Sequence, residues 1–271
     1  MTPAEVYERH LVPAIFGPWA AELVAVAAPR AGERVLDLAC GTGIVARLAA
    51  EHAGGPVALA GVDANPRMLD VARARPCPSG VTTDWREASA VALPFSDASF
   101  DLVLCQQGLQ FFPDRPQALR ECRRVLGLGG RVAVAVWSDI RRSPGFAALA
   151  DGLTRHVSAD AGKWAHGPFA LADGDALREL LVSAGFQEVT LRVVGRMVGF
   201  PSAAEFVRWY VAATPLADHV ARAAPGAEAA LAAYVAAQLA GYAKDELAFP
   251  MEAHIAMGRI AEPTEQFRRL P

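Results

Sequence analysis

One short stretch, Val35-Leu36-Asp37-Leu38-Ala39-Cys40-Gly41-Thr42-Gly43, constrains this 271-residue chain more than any other. It is an apolar run that ends in a carboxylate and then breaks into small residues. Residues 35–38 have the β-favouring, apolar character of a buried strand. The small residues at 39, 41 and 43 let the backbone turn sharply and approach a ligand closely, where a Cβ would obstruct it. Residues 44–52 follow with the apolar spacing of a helix.

The same alternation continues to residue 137. Strands are predicted at 57–62, 81–84, 100–105 and 131–137, and helices at 66–74 and 116–126. Pro66 and Pro116 suit first helical turns, and Gly127 to Gly130 suits a helix stop. Strands alternating with helices imply a parallel sheet covered on both faces. Beyond it, 143–168 mixes short apolar groups with glycine, proline and histidine and reads as a connecting or capping segment. Asp173 caps a predicted helix to residue 184, and a strand follows at 188–198. Ser202 and Glu205 make a capping box, an alanine-rich helix spans 227–243, and a last strand covers 247–257. The expected fold is α/β: a Rossmann-like, doubly wound sheet of about seven mostly parallel strands, with a helical insertion between the last two. The expected organisation is an N-terminal helical cap at 1–30, a ligand-binding core at 31–140 and a C-terminal completion of the sheet at 141–271. The insertion, at 201–246, caps the substrate.

Composition removes several function classes. The chain is 53% hydrophobic and 20% charged, which is ordinary for a globular protein. A formal charge of −3, with a pI near 6.1, and no basic run with interleaved aromatics argue against a nucleic-acid partner. Cys40, Cys77, Cys105 and Cys122 are widely spaced, with no C-x-x-C pair and no histidine at ligand spacing. They read as small buried hydrophobes in a reducing compartment, and no metal is expected. The N-terminus lacks the basic and apolar regions of a signal peptide. No uncharged apolar run approaches the roughly 20 residues of a membrane span, so the expected location is the cytoplasm. Monomer and homodimer both stay open.

Asp63 ends the second predicted strand, twenty positions after Gly43, where its carboxylate suits the two hydroxyls of a ribose. A dinucleotide fingerprint would place a glycine at position 46 and no acid before the turn. Here Ala46 takes that place, and Asp37 would repel a pyrophosphate. A nucleoside that carries an ammonium and a sulfonium, S-adenosylmethionine, suits both carboxylates.

These residues, with three later segments in order, resemble the class I S-adenosylmethionine-dependent methyltransferases, within the type 11 group that includes quinone-biosynthesis enzymes. The segments are Gly61-Val62-Asp63-Ala64-Asn65-Pro66-Arg67-Met68-Leu69, then Leu93-Pro94-Phe95-Ser96-Asp97-Ala98-Ser99-Phe100-Asp101, then Arg120-Glu121-Cys122-Arg123-Arg124-Val125-Leu126 before Gly129-Gly130-Arg131. The resemblance implies that Asp37, Ala39, Gly41 and Gly43 wrap the methionine part and that Asp63 holds the ribose. It further implies that Ala64 and Met68 pack on the adenine and that the Gln106 backbone meets the methionine end. The family commonly has an acid followed by alanine just before Leu-Pro-Phe. This chain has Ser89-Ala90 there, and Glu87 is the alternative carboxylate.

The implied activity is in-line transfer of a methyl group to a small-molecule acceptor at oxygen or carbon, with S-adenosylhomocysteine as product. Two alternatives stay open: a reaction other than methylation on the same fold, or an RNA or protein acceptor. No general base stands out. His10, His166 and His254 are candidates, with Gln107 as an orienting group, and Tyr7 and Trp19 are candidate lid residues. Trp164, Phe169, Phe200, Phe206, Trp209 and Tyr210 either line a pocket for an apolar or aromatic acceptor or pack the insertion onto the sheet.

Overall fold

Seven strands build one sheet: β1 Arg34–Leu38, β2 Ala58–Asp63, β3 Thr82–Glu87, β4 Phe100–Gln106, β5 Leu126–Trp137, β6 Gln187–Phe200 and β7 Leu247–Arg259. The computed structural model describes residues 1–78 and 81–261. The strand order is β3-β2-β1-β4-β5-β7-β6. β1 lies parallel to β2, with Asp37 opposite Gly61, and parallel to β4, with Asp37 opposite Leu104; β2–β3 and β4–β5 are parallel too. Val35, Leu36, Leu38, Leu102, Val103 and Leu104 are all essentially inaccessible, as in a sheet covered on both faces. The order reverses between β1 and β4, which opens a crevice outside their carboxyl ends. Ile260 N donates to Gly130 O (2.8 Å) and Ser138 N to Glu252 O (3.0 Å), so β7 runs antiparallel to β5.

The helices start where the side chains cap them. Asn65 caps Pro66–Ala74, Asp114 caps Arg115–Val125, Asp173 caps Gly174–Ser183 and Ser202 caps Ala203–Ala212, each accepting a first-turn N–H. The three helices Ala203–Ala212, Leu216–Ala221 and Ala227–Gln238 lie in the chain between β6 and β7, the expected insertion, although its last helix stops at Gln238 and not at 243.

Two predicted features differ. Residues 143–168 are not irregular: they form the helices Pro144–His156 and Ala159–His166. Their glycines mark close packing. A Cβ at Gly145 would strike the Phe249 ring, one at Gly152 would lie 2.8 Å from Leu231, and one at Gly162 would strike Thr154. Gly127 to Gly130 does not separate helix from strand either. β5 starts at Leu126, and pairing jumps from Phe100↔Leu126 to Leu102↔Arg131, so the glycines form a bulge, with Gly129 at φ 72°.

By contacts the chain divides into two units. One comprises Met1–Trp19, Trp137–Ala172 and Val193–His254; the other comprises Ala20–Val136, Asp173–Arg192 and the chain from Ile255 on. The first unit is centred on Phe146, whose ring lies 5.0 to 6.3 Å from those of Phe169, Phe206, Tyr210 and Phe249. In the second, the Arg124 guanidinium holds the carbonyls of Leu93 (3.1 Å) and Phe95 (2.8 Å) and the carboxylates of Asp97 and Glu121, while Glu121 accepts Leu93 N (2.7 Å).

The first helix, Pro3–Ala27, is 25 residues long, with a mean hydropathy of 1.4 in its most apolar window. By length and composition alone it is able to cross a membrane. Leu11, Ile15 and Trp19 on it are completely buried in the first unit's core.

Gly145→Ala should destabilise the protein by roughly 1–3 kcal/mol, because the Phe249 ring must move to admit the methyl group. Gly167→Ala, where nothing lies within 4 Å of the added Cβ, should change stability by less than about 0.5 kcal/mol. Urea unfolding of both variants measures the difference; equal effects would mean that the Gly145 site is not tightly packed.

Candidate functional site at the strand ends

Asp63 organises the carboxyl end of the sheet. Its carboxylate accepts Gly41 N (2.8 Å) from the turn after β1 and Asn65 N (2.8 Å) from its own turn. One side chain therefore ties two loops together. Gly41 at φ 53° and Gly43 at φ 80° take the left-handed backbone that glycine tolerates at little cost. Ala39 takes it too, at φ 57°, and so does Gln107 after β4, at φ 55°, which costs a residue with a Cβ about 1 kcal/mol or more. The Gln107 turn is held by its N–H to Ala135 O (2.8 Å). A Cβ at Gly108 would lie 2.6 Å from that of Ala39, so the loops after β1 and β4 touch there. Glu87 pairs in register with Asp63 at the end of β3.

Both carboxylates are largely out of water. Burial raises the Asp37 carboxyl to about 8, against the pull of its hydrogen bond from Ala46 N (3.0 Å), and the neighbouring Asp63 charge adds to the rise. Burial also raises Asp63, offset by the N–H groups of Asn65, Gly41 and Ala64. The Asp37 carboxylate lies at the first turn of Ile44–Ala53, whose cap position, Gly43, has no side chain to offer. Thr42 Oγ1 is fully buried with no hydrogen-bond partner among the described residues.

The structure brings Asp37, Ala39, Gly41, Gly43, Asp63, Ala64, Met68, Ser89, Ala90, Gln106 and Gln107 into one unit, on or beside the strand ends. Ala64 is exposed and Met68 half-buried. Ser89 Oγ accepts Val91 N (3.4 Å) in its own turn. One reading of the small residues needs correction: at Gly43 a Cβ would lie 2.6 Å from Trp85 Cη2, so the space belongs to an indole of the protein. The same indole covers Gly61. Trp85 carries no motif signal, and only the β2–β3 register, Gly61 opposite Trp85, reveals it.

The histidines and aromatics belong to the other unit. His10 stacks on Trp209 at 4.1 Å, and burial lowers its pKa. His166 is exposed in a cavity of about 500 Å³ that Asp139 and Lys163 also line. His254 is buried, with Nε2 2.8 Å from Ala172 O. Tyr7 stacks on Phe16 at 4.7 Å, while Trp19, expected as a lid, is core, its ring edge-on to Trp137. Phe169, Phe200, Phe206 and Tyr210 are core as well, which removes them as pocket-lining candidates; Trp164 and Trp209 are partly buried. Among the described residues, no group of three or more His, Cys, Asp or Glu side chains is arranged to hold a metal ion.

Residues 36–134 match the family model of the methyltransferase domain. This stretch, less than half of the chain, is similar to the class I methyltransferases of the type 11 group. The methyl donor of that group is S-adenosylmethionine. The ubiquinone/menaquinone biosynthesis C-methyltransferase UbiE of Xanthomonas campestris pv. campestris is 43% identical over 124 residues, which are 45% of this chain and 49% of that protein. The chain thus spans about half the length of the curated relatives it matches. Two solved structures share the fold over most of the chain. Haemonchus contortus phosphoethanolamine N-methyltransferase 2, in complex with phosphomonomethylethanolamine and S-adenosylhomocysteine, has a TM-score of 0.56 at 17% identity, covering 90% of this chain and 53% of that one. The [4+2]-cyclase SpnF has a TM-score of 0.53 at 23% identity, covering 90% and 81%. A cyclase on this fold separates architecture from reaction, so the site must carry the functional argument.

The methyltransferase domain's own stability should report the Asp37 environment. With the folded pKa at about 8 and the ordinary value at 3.8, the native state keeps a proton that the unfolded chain releases. Wild-type stability relative to Asp37→Asn should therefore fall, by on the order of a few kcal/mol, as pH rises from about 4 to about 8, and level off above. Urea midpoints of both proteins across that range test this; a constant difference would show that Asp37 is ionised throughout.

Proposed function

We propose that this protein transfers the methyl group of S-adenosylmethionine to a small-molecule acceptor with an apolar ring. The observation that carries the reading is the Asp63 carboxylate, bonded to Gly41 N at the strand ends with the buried Asp37 close by. The Asp63 carboxylate repels a pyrophosphate, and a ligand that bears an ammonium and a sulfonium suits it and favours ionisation of the buried Asp37 beside it. In this reading Asp63 and Glu87 face the ribose and adenine side, where Ala64, Met68, Ser89 and Ala90 supply packing and a hydroxyl. Asp37, Ala39, Gly41 and the Gln106 backbone surround the methionine part, with Thr42 Oγ1 free to donate or accept there.

When bound, the cofactor would supply a methyl group already activated by its sulfonium. What the chain contributes is position and dryness: a rigid turn, anchored across two loops, holds the donor while the acceptor is kept on the far side of the methyl. An apolar ring acceptor agrees with the quinone named for the Xanthomonas relative. The acidic charge balance agrees with a small molecule over a nucleic acid. The four cysteines are all unpaired, and burial pushes Cys105 up to about 12, which suits inert thiols in a cytoplasmic protein.

Isothermal titration with S-adenosylmethionine and S-adenosylhomocysteine tests the reading. Both should bind, and Asp63→Asn should weaken each roughly 10- to 100-fold, the worth of charge-assisted hydrogen bonds. Methyl-labelled cofactor incubated with the protein and a metabolite extract should label a small molecule. Unchanged affinity in the variant removes the ribose role of Asp63, and label in polymer alone removes the small acceptor.

A further inference from the structure

Gln107 and Gln110 leave two buried amide atoms unused beside the glycine turn. Gln107 is 7% exposed and Gln110 3%. Gln110 Nε2 donates to Gln107 Oε1 (3.1 Å), which leaves Gln107 Nε2 and Gln110 Oε1 with no hydrogen-bond partner among the described residues. Turning both amides over exchanges the atoms and again leaves one donor and one acceptor. Burying such atoms unpaired is costly, and native structures contain few of them.

The local backbone keeps the two amides together at some expense. Gln107 is left-handed, at φ 55°, immediately after Gln106 at the end of β4. Leu109–Phe111 is a single 3₁₀ turn, and Phe111 N closes it on Gly108 O (2.9 Å). Arg115 donates to Gln110 O (2.8 Å) and fixes the end of the turn. Gly108 between them packs on Ala39 of the glycine turn, so the loop that carries the pair adjoins the proposed cofactor site.

We infer that Gln107 and Gln110 form a donor–acceptor clamp that positions a neutral hydroxyl group of the methyl acceptor. A hydroxyl satisfies both free atoms at once: its oxygen accepts from Gln107 Nε2 and its proton goes to Gln110 Oε1. An ammonium offers no acceptor to Gln107, a carboxylate no donor to Gln110, and a bare hydrocarbon neither. Neither amide carries charge, which suits an uncharged phenol or enol. The inference rests on the methyltransferase reading above and adds the acceptor's functional group.

The test uses full-length protein saturated with S-adenosylhomocysteine and two probes of nearly equal shape, 1-naphthol and naphthalene, titrated by calorimetry or fluorescence. The wild type should bind naphthol at least about tenfold more tightly. Gln107→Leu and Gln110→Leu should each abolish that preference while S-adenosylhomocysteine affinity stays within about twofold. The double variant Gln107→Leu/Gln110→Leu, which removes all four polar atoms, should lose the preference and melt at a higher temperature than the wild type. A purely structural amide pair predicts a lower melting temperature and no effect on selectivity. Equal affinity for the two probes, no naphthol binding at millimolar concentration, or a preference that survives the substitutions overturns the clamp. Failure of S-adenosylhomocysteine to bind the wild type overturns the underlying methyltransferase reading instead.

Discussion

The carboxylate of Asp63 is the contact on which the carboxyl end of this sheet depends. It lies at the end of β2, accepts N–H groups from its own turn and from the turn after β1, and is mostly withdrawn from water. A buried carboxylate is tolerable only while such donors surround it. Gly41 can offer its N–H because its backbone is left-handed, so Asp63 and the glycine turn require one another. The Ala39–Gly108 contact extends the arrangement to the loop after β4. The candidate site is therefore three loops fixed by a few short-range contacts on a parallel sheet.

Much of the sequence signature of the methyltransferase domain has an architectural cause. The Leu-Pro-Phe segment and the Arg120–Leu126 segment lie far apart in sequence yet meet through Arg124, which satisfies two carbonyls and two carboxylates. Arg131 does comparable service at the end of the first helix: it caps the carbonyls of Ala27 (2.8 Å) and Ala28 (2.9 Å) and pairs with Glu33. Arg34 binds Asp101 through two nitrogens, joining the starts of β1 and β4. Motif residues of this kind hold loops in place.

Glycine was the residue type most open to misreading. At Gly43 and Gly61 the missing side chain makes room for Trp85, and at Gly145 for Phe249. Local pattern cannot distinguish a glycine that admits a ligand from one that admits a neighbouring ring, because the neighbour comes from a strand or helix far along the chain. The same cause moved Phe169, Phe200, Phe206 and Tyr210 from candidate pocket wall to core. Their apolar character is the same in the two cases, and only the packing around Phe146 and Phe249 decides between them.

The sequence alone determined whatever depends on neighbours in the chain. Strand periodicity, helix caps at Asp173 and Ser202, first-turn prolines at Pro66 and Pro116, the glycine turn after β1 and an acid at the end of β2 are short-range features, and each could be read without coordinates. Tertiary structure decided what depends on groups brought together from distant positions: that Asp63 bonds Gly41, that Asp37 sits at the start of the following helix with its proton retained, that Trp85 fills the space over Gly43, and that Gln107 and Gln110 end up buried with amide atoms to spare. Hydrogen bonding and desolvation act over a few ångströms in space whatever the separation in sequence, so no local pattern could have supplied them.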